Sequence, residues 1–148
     1  MSKSSYPVPK SNPHLETIAA FFLTWFASAT IITIASALFP KNVVLGTISL
    51  SHWEALLLSS GVLSWLMTLS IVLFTEVEVR QQRVLSPKDW LMGYFALNTV
   101  GIWLIARLAE ILGLGLSSWL VALLLGLVLS FAQGSTMMAY GAFKNSRK

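Results

Sequence analysis

The sequence predicts an all-α membrane protein: four transmembrane helices, arranged as two parallel-repeated helical hairpins with both termini in the cytoplasm. Three observations carry that expectation. Hydrophobic residues make up 55% of the chain and charged residues only 11%, against about a quarter charged in an ordinary soluble domain. Four apolar runs each reach the ~20 residues a spanning helix needs. Together they cover about two thirds of the 148 residues and leave only tails and loops of 16 residues or fewer, which leaves no room for a separate soluble domain. Finally, lysine and arginine gather on the side to which every second crossing returns.

The first run covers residues 17–39 and is closed by Pro40, which cannot continue a helix. Ala35-Ser36-Ala37 has the small-x-small look of a signal-peptide cleavage site, but the run is longer than the ~7–15 residues of a signal core, so a retained span is the better reading. The second run, 52–74, opens on Ser51-His52-Trp53-Glu54, a capping-box pattern. The third, 87–112, opens on Ser86-Pro87-Lys88-Asp89: an N-cap, a proline at the first helical position and an acid in the first turn. Gly113 and Gly115 suit its end, where a left-handed residue is commonly needed. The fourth run covers 118–140 and makes up the rest of a single integral domain.

With four crossings, the N-terminal tail, the loop of residues 75–89 and the C-terminal tail share one side. They hold Lys3, Lys10, Arg80, Arg83, Lys88, Lys144, Arg147 and Lys148, whereas the opposite loops hold only Lys41. That asymmetry puts both termini inside, at a cytoplasmic membrane of bacterial or phage-encoded type. The partner these charges suit is the lipid bilayer, at about 1 kcal/mol per cation near anionic headgroups. A nucleic-acid partner is the poorer explanation, because the cations are few and dispersed over three short segments, and none is expected.

Residues 51–65 lie over 117–131 at a constant offset of 66, with seven of fifteen positions identical, among them Ser51/Ser117, Trp53/Trp119 and Val62-Leu63-Ser64/Val128-Leu129-Ser130. Upstream, Ile34-Ala35-Ser36 falls opposite Ile105-Ala106-Arg107 if the first outer loop is five residues longer. Both copies would run inside to outside to inside, a parallel repeat about the membrane normal; convergence of two Leu-rich hairpins is the other reading. On Phe39-Pro40, Ser51-His52-Trp53, Ala55-Leu56, Val62-Leu63-Ser64, Asn98, Ser117-Ser118-Trp119 and Val128-Leu129-Ser130, roughly residues 20 to 135, the chain resembles the small four-span membrane proteins of phage holin superfamily IV. The charged loop Glu76-Val77-Glu78-Val79-Arg80 departs from that pattern, which has a proline-containing apolar turn there. The resemblance implies a compact four-helix protein and, for a holin, pores made by self-assembly. Fold carries over better than function in such a likeness.

In lipid, helices associate through small side chains and interhelical hydrogen bonds rather than through hydrophobic drive. The fourth run offers Ala122, Gly126, Ser130 and Gly134 at strict four-residue spacing; the second offers Ser60, Ser64 and Thr68, and the first Ala20, Thr24, Ser28 and Ser36. These stripes serve either packing within one chain or contacts in a homo-oligomer.

Two amides, Asn98 and Gln133, fall inside spans. Asn98 lies eight residues past Trp90, or ~12 Å into the membrane, where an amide needs a partner. Arg107, seventeen residues past Trp90, is ~25 Å across a core of ~30 Å, at the outer rim. There it either snorkels beside Trp103 and Trp119 or joins Glu54 and Glu110 in an outer polar cluster, with Arg107 tying the third helix to the second through Glu54.

With no cysteine in the chain there is no thiol chemistry, and His52, with no acidic or histidine partner at ligand spacing, is a poor metal ligand. No catalytic set, phosphate loop or cofactor motif is present, and no acid lies near a span centre for proton coupling. Two classes of non-enzymatic function are left: a holin-like protein that self-associates and permeabilises or remodels the cytoplasmic membrane, or a non-catalytic scaffold or accessory subunit of a larger membrane complex.

Overall fold

A computed structural model describes residues 13–82 and 86–146. Its elements run α1 (Pro13–Leu38), β1 (Val43–Leu45), α2 (His52–Gln81), α3 (Pro87–Arg107), α4 (Ala109–Leu112), β2 (Leu114–Leu116) and α5 (Trp119–Asn145). Helices α1, α2 and α5 are long and apolar enough to cross a bilayer. Helix α3 is the shortest of the four long helices, and Trp90, Tyr94, Asn98 and Thr99 dilute its apolar content. Lys3, Lys10, Arg83, Arg147 and Lys148, which carry much of the charge asymmetry, lie outside the described residues.

Helix starts follow local chemistry. Ser51 caps α2 and Ser86 caps α3, each in a full capping box closed by Glu54 and Asp89, and Ser118 accepts from the Val121 amide at the start of α5. Helix ends depart from the sequence expectation. Helix α2 overruns residue 74 as far as Gln81, with Glu76 and Arg80 paired one turn apart at 3.1 Å; a pair so exposed adds only a few tenths of a kcal/mol.

The third run does not stay one helix to residue 112. Leu108 (φ −100°, ψ 32°) leaves helical geometry and shares its N–H between the carbonyls of Leu104 and Ile105. The four-residue α4 then ends at Gly113, whose φ of 78° is left-handed. A Cβ there would lie 2.3 Å from the Cβ of Ala55, so the glycine is required both by the turn and by the close approach to α2. Gly115 is not a cap; it belongs to β2.

The two strands join the α1–α2 link to the α4–α5 link as an antiparallel pair, with Val43 opposite Leu116, Val44 opposite Gly115 and Leu45 opposite Leu114. Flanking bonds run from the Gly46 amide to the Gly113 carbonyl (2.8 Å) and from the Ser117 amide to the Asn42 carbonyl (3.0 Å). A local twofold axis through the Val44–Gly115 pair interchanges these bonds, because 42 and 113, 44 and 115, and 46 and 117 are each 71 residues apart.

Around the molecule α1 packs on α2 and α5, and α3 packs on α2 and α5. Ile32, Leu63, Ile102, Leu114 and Leu129 fill the centre. Small residues set a close contact between α3 and α5: a Cβ on Gly126 would sit 2.4 Å from Thr99 Oγ1 and 2.8 Å from Thr99 Cα, so the two backbones nearly touch there. Ala122 and Ser130 lie on the same buried face, but a Cβ on Gly134 would meet nothing within 4 Å. The stripe therefore packs over three of its four positions.

Candidate functional site: a buried amide layer

Halfway along the helices, polar side chains from α1, α3 and α5 meet. Asn98 is nine residues before the end of α3, Ser28 ten before the end of α1, and Ser130 eleven past the start of α5. At ~1.5 Å per residue all three lie ~14–17 Å from the ladder end.

The Asn98 amide donates to Gln133 Oε1 at 2.8 Å and to Ser130 Oγ at 3.1 Å. Gln133 Nε2 donates in turn to Ser28 Oγ at 3.0 Å. Both serine hydroxyls spend their own proton on the preceding turn, Ser28 on the Thr24 carbonyl (2.6 Å) and Ser130 on the Gly126 carbonyl (2.7 Å). Each can then only accept, which fixes the sense of the chain: Asn98 nitrogen toward Ser130 and Gln133, Gln133 nitrogen toward Ser28. Asn98, Gln133 and Ser28 are completely buried. The sequence picks out both amides; the structure makes them partners and adds Ser28 and Ser130, which the sequence presents only as packing residues.

Helix α2 reaches the same level through Ser64, also fully buried. Among the described residues Ser64 Oγ, Asn98 Oδ1 and Thr99 Oγ1 find no hydrogen-bond partner. One turn toward the ladder, Trp25 Nε1 donates to Ser60 Oγ at 2.9 Å, an α1–α2 tie that the sequence does not reveal. Its signal, a tryptophan and a serine each inside an apolar run, becomes informative only once the helices are known to be neighbours.

The layer contains no titratable group and so neither takes nor releases a proton at ordinary pH. What it provides is register: a helix that slid by one residue would strand at least one amide away from its partner, at about 1–3 kcal/mol for each buried group left unsatisfied.

The outer polar cluster is not assembled as expected. Arg107 lies with its guanidinium carbon 5.0 Å from the Trp103 ring centroid and forms no ion pair with Glu54 or Glu110 among the described residues. Two local causes account for this. The Glu54 carboxylate is engaged by the Ser51 amide (2.8 Å) and hydroxyl (2.7 Å). The break at Leu108 removes the one-turn spacing that would have set Glu110 beside Arg107.

At the opposite end, Phe74, Trp90 and Tyr94 cluster with centroids 5.0–6.3 Å apart, Trp90 stacked on Tyr94 and edge-to-face with Phe74, and Trp90 Nε1 donates to Glu78 Oε1 at 3.4 Å. Among the described residues no group of three metal-ligating side chains occurs. Compared with protein-family models, curated proteins and solved structures, the chain matches none.

Proposed function

We propose that the chain is a four-span integral protein of the cytoplasmic membrane with both termini inside, built from two parallel-related hairpins, and that it acts as a non-catalytic scaffold or accessory subunit whose working part is its lipid-facing and outer surface. The fourth crossing is supported by the length of α3, 21 residues or ~32 Å against a ~30 Å core. It is supported also by Asn98, since without α3 in the bilayer the buried Gln133 of α5 would lose one of its two partners. The repeat is supported by the 66-residue match of 51–65 with 117–131 and by the like places of the two strands, one in the α1–α2 link and one in the α4–α5 link.

The observation that carries the functional reading is the direction in which polar and small residues point. Ser28, Ser59, Ser60, Ser64, Asn98, Ser130 and Gln133 are all buried within one chain, while the exposed positions of the spans include Phe22, Phe26, Trp65, Leu69, Leu124 and Phe131. A pore formed by self-association needs a polar face on the outside of each protomer. The polar faces here are used internally, so the surface is fitted to lipid or to an apolar partner.

The test is induced expression in a bacterium with a potential-sensitive dye, with and without a co-expressed cell-wall hydrolase. The expected result is high expression with membrane potential retained. Collapse of the potential, followed by lysis with the hydrolase, would replace this reading by the holin-like one.

A further inference from the structure

Between α1 and α5, on the half nearer the ladder, lies an apolar groove of about 470 Å³ lined by Ile34, Ala35, Leu38, Leu124 and Val128, with Asn42 at its mouth. It follows residues 31–38 of α1 and 121–128 of α5, a rise of ~10 Å. That is about a third of the ~30 Å apolar thickness, too short a seat for a crossing helix and suited to a chain hanging from the headgroup level.

The matching seam in the other half, between α2 and α3, is closed; this comparison rests on the parallel-repeat reading above. Ile105, counterpart of Ile34, is 2% exposed where Ile34 is 48% exposed. Ala55, counterpart of Val121, is fully buried with Gly113 against it. The charges at the two mouths differ as well. Glu54 lies in the first turn of α2, Arg107 ends α3 and Glu110 lies in α4, whereas the link beside the open seam carries Lys41, next to an Asn42 held by Ser117 (3.1 Å), and α5 has no acid in its first turn.

We propose that this groove holds one acyl chain of an outer-leaflet anionic phospholipid, with Lys41 at the level of its phosphate. In lipid a crevice without partner atoms loses dispersion contacts outright. A flexible hydrocarbon chain restores them, and a cation at the mouth selects the headgroup that carries net negative charge.

The full chain, extracted in mild detergent with an equimolar mixture of phosphatidylglycerol and phosphatidylcholine, is examined by native mass spectrometry. One retained lipid is expected, with phosphatidylglycerol favoured about fivefold, the equivalent of the ~1 kcal/mol assigned to one lysine near a lipid surface. Lys41→Gln, on an exposed turn, retains a lipid but loses the fivefold preference. Ala35→Phe fills the groove and loses both lipids; Leu124→Trp, on the exposed wall, gives the same loss should Ala35→Phe fail to fold. Unchanged lipid adducts in the groove variants overturn the proposal. So does a wild-type dimer that Ala35→Phe converts to monomer, because the groove would then be an interface between copies. An alkaline wash of the membranes separates the two readings: release of the chain would overturn the membrane assignment itself, while a chain that stays embedded yet holds no lipid overturns only the groove.

Discussion

Asn98 of α3 donates to Gln133 of α5 across 2.8 Å at the middle of the helices, and Gln133 passes the bond on to Ser28 of α1 at 3.0 Å. One glutamine thus holds three helices at a single level. Because interhelical hydrogen bonds in membranes average only ~0.6 kcal/mol, the pair matters less for its strength than for the cost of removing one member alone.

Gln133→Leu is expected to destabilise the chain by about 1–3 kcal/mol, since Asn98 then keeps a fully buried amide with one partner fewer. Adding Asn98→Leu should recover part of that loss, because an apolar pair leaves no orphaned group and Ser28 and Ser130 still bond their own turns. Unfolding in mixed micelles of rising SDS fraction measures both. A double mutant as unstable as the sum of the singles would refute the pairing.

Gly126 and Gly134 look alike in the sequence stripe and should respond oppositely to alanine. At Gly126 the new methyl would press on Thr99 Cα and N, both 2.8 Å away, and backbone atoms cannot rotate aside; a cost of about 1–3 kcal/mol is expected. At Gly134 the methyl meets nothing, so Gly134→Ala should be neutral or stabilise by about 0.5–1 kcal/mol through helix propensity. Thermal retention of the monodisperse fraction in detergent distinguishes them.

Legibility in the sequence divides along contact range. The capping boxes at Ser51 and Ser86 are four-residue events, and four residues suffice to read them. Asn98 and Gln133 stand out because amides are costly in an apolar run, but that cost names no partner; only the packing of α3 on α5 does. The end of the third helix is hidden because Arg107, Leu108 and Ala109 are all good helix formers. The break there accompanies the approach of Gly113 to Ala55, a contact between residues 58 positions apart. The ladder leaves no trace, since three residues such as Leu114-Gly115-Leu116 are too few to show the alternation that marks a strand.

Arg107 and Glu54 should prove independent. Each has its own local partner, Trp103 for the arginine and Ser51 for the glutamate. Exchanging their charges should therefore rescue nothing, with the double mutant additive to within about 0.3–0.5 kcal/mol. Arg107 and Trp103 should instead couple by about 0.5–1 kcal/mol in a cycle through Trp103→Leu. A swap that restores expression would return Arg107 to the outer cluster with Glu54.

Val44 and Gly115 permit a test of the fold and its orientation together. They face each other in the ladder, and a Cβ built on Gly115 lies 3.8 Å from the Cβ of Val44, within the ~3.5–4.5 Å that a disulfide requires. The chain has no cysteine of its own, so Val44→Cys with Gly115→Cys can form only one intramolecular bridge. Closing it should stabilise the protein by about 2–4 kcal/mol, as cross-links over long loops do. It should also keep the two hairpins together on a non-reducing gel after cleavage at a protease site introduced between α2 and α3. The compartment then reports orientation. In a bacterium whose cell exterior is oxidising, a ladder on the outside bridges during expression without added oxidant, and deletion of the cell's disulfide-forming enzyme stops it. A pair that stays reduced in cells but oxidises readily after purification would keep the ladder and reverse the topology, and one that never oxidises would refute the strand register.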